Sequence, residues 1–234
     1  MQMDTGKITV VHLAEDGTRS ARIDCPSALI PNPGQYLLAY TADGLDTILG
    51  WPLFPVGLHQ PLDESVAPRL GAIPTSWSPG AVLHLRGPLG CGFSIPQNTH
   101  HLALASLGKS ASRLLPLVNP ALESGADIAI FSEPPLPVLP SALEIHPLSA
   151  LADNLAWADF LAVDLPLEKL PNLREILGLE PYESLPCQAQ ALITTPMPCA
   201  AIGDCGACAV PLRQGRYALA CKDGPVFELI SLEW

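Results

Sequence analysis

Four cysteines within 23 residues are the part of the chain best suited to chemistry: Cys199-Ala-Ala-Ile-Gly-Asp-Cys205-Gly-Ala-Cys208, then Cys221 at the head of Cys221-Lys-Asp-Gly-Pro-Val-Phe227. Their spacing is C-x5-C-x2-C-x12-C. Three thiols on one loop and a fourth from a separate segment is the layout of a plant-type [2Fe–2S] site, whose usual start is C-x4-C-x2-C. Gly203 and Gly206 allow the loop to turn where other residues cannot. Ala200, Ala201, Ala207 and Ala209 are small enough to let backbone N–H groups approach sulfur. The expected chemistry is one-electron transfer, with Cys199, Cys205, Cys208 and Cys221 as metal ligands. Three alternatives stand beside it: structural zinc, disulfides, and inert buried thiols. Zinc usually shows two C-x-x-C knuckles, and only Cys205/Cys208 forms one. Disulfides need an oxidising compartment, whereas Met1–Lys7 lacks the basic and apolar regions of an export signal, so a cytoplasmic location is expected. Cys25, Cys91 and Cys187 stand alone and read as small buried hydrophobes.

The composition narrows what surrounds that loop. The chain has 234 residues, 48% of them hydrophobic, and a net charge of −11 with only 12 Lys and Arg. No basic stripe is visible, so no nucleic-acid partner is expected, and no apolar run is long enough for a membrane span. The 26 prolines lie between apolar runs, as in many short strands joined by stiff turns.

Residues 1–97 read as an antiparallel β-barrel. Strand-like runs occur at Lys7–Leu13, Thr18–Cys25, Gly34–Tyr40 and Ala81–Arg86, with turns at Glu15–Gly17, Pro31–Gly34 and Gly87–Gly90. Residues 98–195 read as a reduced parallel α/β domain. Strands are expected at His101–Ser106, Ile128–Phe131, Leu143–His146, Phe160–Val163 and Gln188–Thr194. Helices are expected at Lys109–Leu122 (Ser110 as cap), Ala150–Trp157 and Leu167–Leu177. Residues 196–234 form a small [2Fe–2S] loop domain, giving an α+β multidomain chain. His100-His101 reads as a surface edge and His84 as an outward strand position, while Asp63-Glu64 and Asp153 lack an evident partner.

The C-terminal run resembles the iron–sulfur, electron-transfer subunit of B-type dihydroorotate dehydrogenases, enzymes of pyrimidine biosynthesis within the ferredoxin–NADP reductase-like flavoproteins. Met197, the loop 199–208 and Cys221–Phe227 carry the likeness, with one extra residue in the first gap. Pro33-Gly-Gln-Tyr36 looks like the family's Pro-Gly-Gln-Phe turn, and Gly87-Pro-Leu-Gly-Cys-Gly-Phe93 like its Gly-Pro-Leu-Gly-Asn-Gly-Phe. His101–Val118 resembles the first strand and helix of its nucleotide-binding domain. The resemblance implies a hetero-oligomer with a catalytic subunit carrying flavin mononucleotide, FAD as a candidate second cofactor of this chain, and Pro225 and Phe227 as shields of the cluster. The family's Arg-x-Pro-(Leu/Phe)-Ser flavin strand corresponds to Gly50, Trp51, Pro52 and Leu53, with Phe54 in the serine's place. Its phosphate arginine is absent there, leaving Arg69, Arg86 or a backbone nest as substitutes. Ser106-Leu-Gly-Lys-Ser110 replaces its glycine cluster, and its Cys-Gly-Pro turn has no counterpart, so NAD(P)H oxidation by this chain is not expected. Three functions follow: an electron-transfer subunit, a complete FAD/[2Fe–2S] reductase, or a zinc-stapled interaction module.

Overall fold

The computed structural model describes residues 2–14, 17–41, 49–58, 69–133, 136, 139–181, 183–199 and 201–234. The expected turn residues Glu15 and Asp16, the Asp63-Glu64 pair and Ala200 lie outside them.

Alternation of apolar and polar residues closes the first part into an antiparallel barrel. Its strands are β1 (Gln2–Leu13), β2 (Arg19–Asp24), β3 (Tyr36–Thr41), β4 (Trp51–Pro55), β5 (Arg69–Gly71) and β6 (Val82–Leu89), in the order β1-β2-β5-β4-β3-β6. Ile8, Ala21, Ile23, Leu37, Leu53 and Leu83 fill its interior around Trp77. His84, between Leu83 and Leu85 on β6, faces outward as expected.

The second layer is a sheet of β7 (His101–Ser106), β8 (Asp127–Ser132), β9 (Leu143–His146), β10 (Phe160–Pro166), β11 (Gln188–Thr194) and β14 (Val226–Glu228), in the order β14-β11-β10-β7-β8-β9. All neighbours are parallel except β11 and β14. Both faces are apolar, as parallel strands require. Leu102, Leu104, Ile128 and Ile130 pack on one face under Val118 and Ala121. Ala103, Ala105, Phe131 and Val163 pack on the other, in one core with Tyr36, Phe54, Cys208 and Cys221. A hairpin of β12 (Ala209–Leu212) and β13 (Arg216–Leu219) completes the fold, and β14 ties the segment after the cysteine loop into the sheet.

The helices are shorter than the periodicity suggests. Lys109–Leu114 is not helical; only a 3-10 turn at Leu115–Leu117 and α1 (Val118–Glu123) form. Pro116 and Pro120 lack the N–H groups a longer helix would need. Ser110 caps nothing: its Oγ accepts from the Ser112 N–H instead. Ala150–Trp157 yields α2 (Leu151–Asn154) between 3-10 turns. In Leu167–Leu177, Pro171 confines α3 to Leu173–Ile176. Among the described residues no helix is long and apolar enough to cross a membrane.

Candidate metal centre and adjoining cleft

Strand β11 delivers the chain through Met197 to the cysteine loop, and the β12–β13 hairpin returns it to Cys221. The four thiols arrive as two pairs. Cys199 and Cys205 Sγ lie 3.5 Å apart on the outer loop, and Cys208 and Cys221 Sγ lie 3.2 Å apart in the core. Gly206, at φ +75°, supplies the left-handed turn between the second and third cysteines; Ala201 takes the other left-handed position, and Gly203 takes none. Among the described residues no three His, Cys, Asp or Glu side chains converge as ligands of one ion. A tetrahedral zinc with bonds of about 2.3 Å would draw all four sulfurs to within about 3.8 Å of one another. Two pairs instead match two irons held by two thiolates each, so the residues present fit a [2Fe–2S] group better than zinc.

The pairs differ in surroundings. Cys208 and Cys221 are each 1% exposed, whereas Cys205 is open to solvent. Hydrogen bonding to the Gly203 backbone, then to Cys205, brings the Cys199 thiol down to about 7. Burial, then the neighbouring Cys208, pushes Cys221 up to about 12. Lys222 and Asp204 form an ion pair at the rim.

Three motifs far apart in sequence meet beneath the buried pair. The Tyr36 hydroxyl, on β3 and fully buried, donates to the Cys221 carbonyl at 2.9 Å. The Cys91 N–H donates to the Gly224 carbonyl, and Gly90 leaves no room for a Cβ, which would lie 2.4 Å from that oxygen. The Phe93 N–H donates to Pro33 O, and Gln35 Nε2 to Gly90 O. Pro225 and Phe227 are buried, and the Phe227 ring packs onto Gly224.

A cleft of about 1240 Å³ opens between the barrel, Lys109–Leu115 and Thr194–Pro198. Gly50, Trp51 and Pro52 line it, whereas Leu53 points into the barrel core. Phe54, in the place expected for serine, lies at its wall, 5.6 Å from the Tyr36 ring. Among the described residues, the hydroxyls of Thr194 and Thr195 and the His12 Nε2 are buried there without a hydrogen-bond partner. Volume and orphaned polar atoms together fit a flavin-sized ligand, with Arg69 as the half-buried cation at the wall.

The crevice at the carboxyl ends of the strands, which shares Arg113 with that cleft, is filled. Sheets of this type take dinucleotides where the strand order reverses, outside the carboxyl ends of the strands. Here that point lies between β7 and β10. Arg113 closes it with a two-pronged ion pair, Nε to Asp164 Oδ2 at 2.8 Å and Nη2 to Asp164 Oδ1 at 2.6 Å. Asp164 is fully buried; burial pushes its carboxyl up while Arg113 pulls it back. Lys169 Nζ donates to Leu107 O at 2.6 Å, directly after β7. Arg113 and Asp164 escaped the sequence reading because nothing local pairs residues 51 positions apart.

The remaining candidates are structural. His100 and His101 N–H groups both donate to Asp159 Oδ2, and the His101 ring packs on Trp157. Cys25 and Cys187 are partly buried, but Cys91 is exposed rather than buried: its backbone N–H is held by the Gly224 carbonyl while the residue stays open to solvent.

The family model of the iron–sulfur cluster binding domain of dihydroorotate dehydrogenase B matches residues 195–232. A comparison with curated proteins gave no significant match in sequence. Among solved structures, the NADH-dependent reduced ferredoxin–NADP oxidoreductase superimposes with a TM-score of 0.72 at 19% identity, covering 98% of this chain and 90% of that one. A ferredoxin NADP+ reductase from Neisseria gonorrhoeae, with bound FAD and NADP, gives 0.57 at 12% identity over 82% of this chain and 99% of that one. The ferredoxin reductase in carbazole 1,9a-dioxygenase gives 0.55 at 17% identity, over 77% and 67%. Residues 195–232 are therefore similar to the iron–sulfur cluster binding domain of dihydroorotate dehydrogenase B, and they are carried on a barrel and sheet with the ferredoxin reductase fold.

Proposed function

We propose that this chain is an electron-transfer subunit, with Cys199 and Cys205 holding one iron of a [2Fe–2S] cluster and Cys208 and Cys221 the other. The paired thiols carry this reading. When bound, such a cluster supplies one-electron transfer and needs no acid–base residue. The chain's own residues position it. Tyr36 fixes the backbone of Cys221, and Pro225 and Phe227 keep water from the buried pair. Cys205 is exposed and Cys199 partly so, and a flavin-containing catalytic subunit would dock on this side. The units are residues 1–97 as supporting barrel, 98–195 as sheet, and 196–234 as cluster segment. Metal-binding thiols on this scale suit a reducing, cytoplasmic setting.

A second reading, a complete reductase that also takes electrons from NAD(P)H, gains support from the flavin-sized cleft. It loses support at the sheet crevice, where Asp164 already neutralises the cation a pyrophosphate would need. Protein prepared without oxygen is expected to be red-brown, to bleach with dithionite, and to show no bleaching with NADH. Serine at any of the four cysteines should reduce the colour. A colourless protein holding about one zinc per chain would overturn the proposal.

A further inference from the structure

Two barrel strands turn aromatic rings out toward the sheet. Leu37 and Leu53 stand opposite each other in the β3–β4 ladder and point into the barrel core. Side chains alternate along a strand, so their neighbours Tyr36 and Phe54 lie on the outer face. Both are buried there, in the core shared with Cys208 and Cys221. The ring centroids are 5.6 Å apart and the planes are tilted by 36°. Both positions depart from the pattern the chain otherwise resembles: Phe54 stands where a serine is expected, and Tyr36 adds a hydroxyl where the turn carries phenylalanine.

Each ring meets a polar group from another element. The Arg113 guanidinium lies over the Phe54 ring, 5.5 Å from its centroid, an arrangement in which the cation is drawn to the face of the ring. Asp164, fully buried on β10, grips that guanidinium with both oxygens, which fixes its plane. At the other end the Tyr36 hydroxyl donates to the Cys221 carbonyl at 2.9 Å. Asp164, Arg113, Phe54 and Tyr36 are thus contiguous from the sheet crevice to the buried thiol pair. Close-packed rings with 6% and 0% exposure cannot shift independently of their neighbours.

We infer that Arg113 is a positioning residue for the cysteine site: acting through Phe54 and Tyr36, the ion pair at the crevice sets the reduction potential of the group the thiols hold. This rests on the electron-transfer reading above. The positive end of the Tyr36 O–H dipole points at the backbone of Cys221 and favours the form carrying one more negative charge. Arg113 and Phe54 both border the cleft. Without the guanidinium, Phe54 gains room on that side, the support behind the Tyr36 ring loosens, and the hydroxyl holds Cys221 less firmly. The ion pair that fills the crevice therefore also braces the barrel against the cysteine segment.

The test is a redox titration of the full chain, prepared without oxygen and followed by visible absorbance. Tyr36→Phe should favour the oxidised form about tenfold, which is about 59 mV for one electron. Arg113→Met combined with Asp164→Leu removes the ion pair without stranding a buried charge, and should shift the potential the same way by about half as much. Adding Tyr36→Phe to that pair should shift it no further than Tyr36→Phe alone, because both act through one hydroxyl. A second measurement needs no metal. Iodoacetamide should label Cys221 of the metal-free chain several-fold faster in Tyr36→Phe and in the Arg113→Met, Asp164→Leu chain than in the parent. An unchanged potential in the Arg113→Met, Asp164→Leu chain, or shifts from the two sites that simply add, would overturn the inference. Iron and sulfide analysis of the parent separates the two failures. A parent without sulfide defeats the electron-transfer reading, and unchanged Cys221 labelling then overturns the positioning role as well.

Discussion

The junction beneath the cysteine loop and the crevice at the switch point of the sheet occupy one molecule and handle polar groups in opposite ways. At the junction, hydrogen bonds from the barrel reach out to hold another segment: Tyr36 to Cys221, Cys91 to Gly224. At the crevice, Arg113, Asp164, Lys169 and the Leu107 carbonyl satisfy one another, so Arg113 and Lys169 are already engaged within the protein. Around Cys208 and Cys221 the contacts from the barrel hold two buried thiols side by side in the core. The difference bears on the proposal: the first region supports an electron-transfer site, and the second argues against nicotinamide oxidation by this chain.

The contrast can be broken most severely at the buried thiols. Cys208→Ser or Cys221→Ser should abolish the visible absorbance and lower thermal stability, since a serine hydroxyl there is buried without a designed partner. Cys205→Ser, at the exposed position, should leave the melting temperature within a few degrees of the parent. Next in size is the crevice. Asp164→Ala leaves the Arg113 guanidinium without its carboxylate and should cost about 3–5 kcal/mol in denaturant unfolding. The double change Arg113→Met with Asp164→Leu should recover most of that. If Asp164→Ala instead gains NADH binding at no cost in stability, the pair is a removable plug rather than part of the core.

A smaller effect concerns the thiols of the metal-free chain. A pKa lowered to about 7 makes Cys199 largely thiolate at pH 8, whereas one raised to about 12 keeps Cys221 protonated. Iodoacetamide at pH 8, read by peptide mass spectrometry, should label Cys199 first and Cys221 last; the reverse order would contradict the exposed and buried assignment of the pairs. The smallest effect is at the junction. Tyr36→Phe removes one hydrogen bond and should cost about 1 kcal/mol, with the metal retained and its reduction potential shifted.

The cysteine loop was legible because it is local: Cys199, Cys205 and Cys208 lie within ten positions, and Gly206 marks the turn. Strands β7, β8, β10 and β11 were legible as short apolar runs buried on both faces. Helix lengths were overread, since apolar spacing in Lys109–Leu122 outweighed Pro116 and Pro120, whose missing N–H groups broke the segment into a 3-10 turn and α1. What could not be read were contacts made by the fold alone. Tyr36 and Cys221 are 185 positions apart, and Arg69 meets Gly57 only because β4 and β5 pair. Arg69 was visible as a cation but not as one facing Arg22 across a ladder.

The central claim, that the two thiol pairs hold two irons, is tested most directly by iron, sulfide and zinc analysis of one preparation made without oxygen. The account predicts about two irons and two acid-labile sulfides per chain and negligible zinc. About one zinc per chain without sulfide would contradict it.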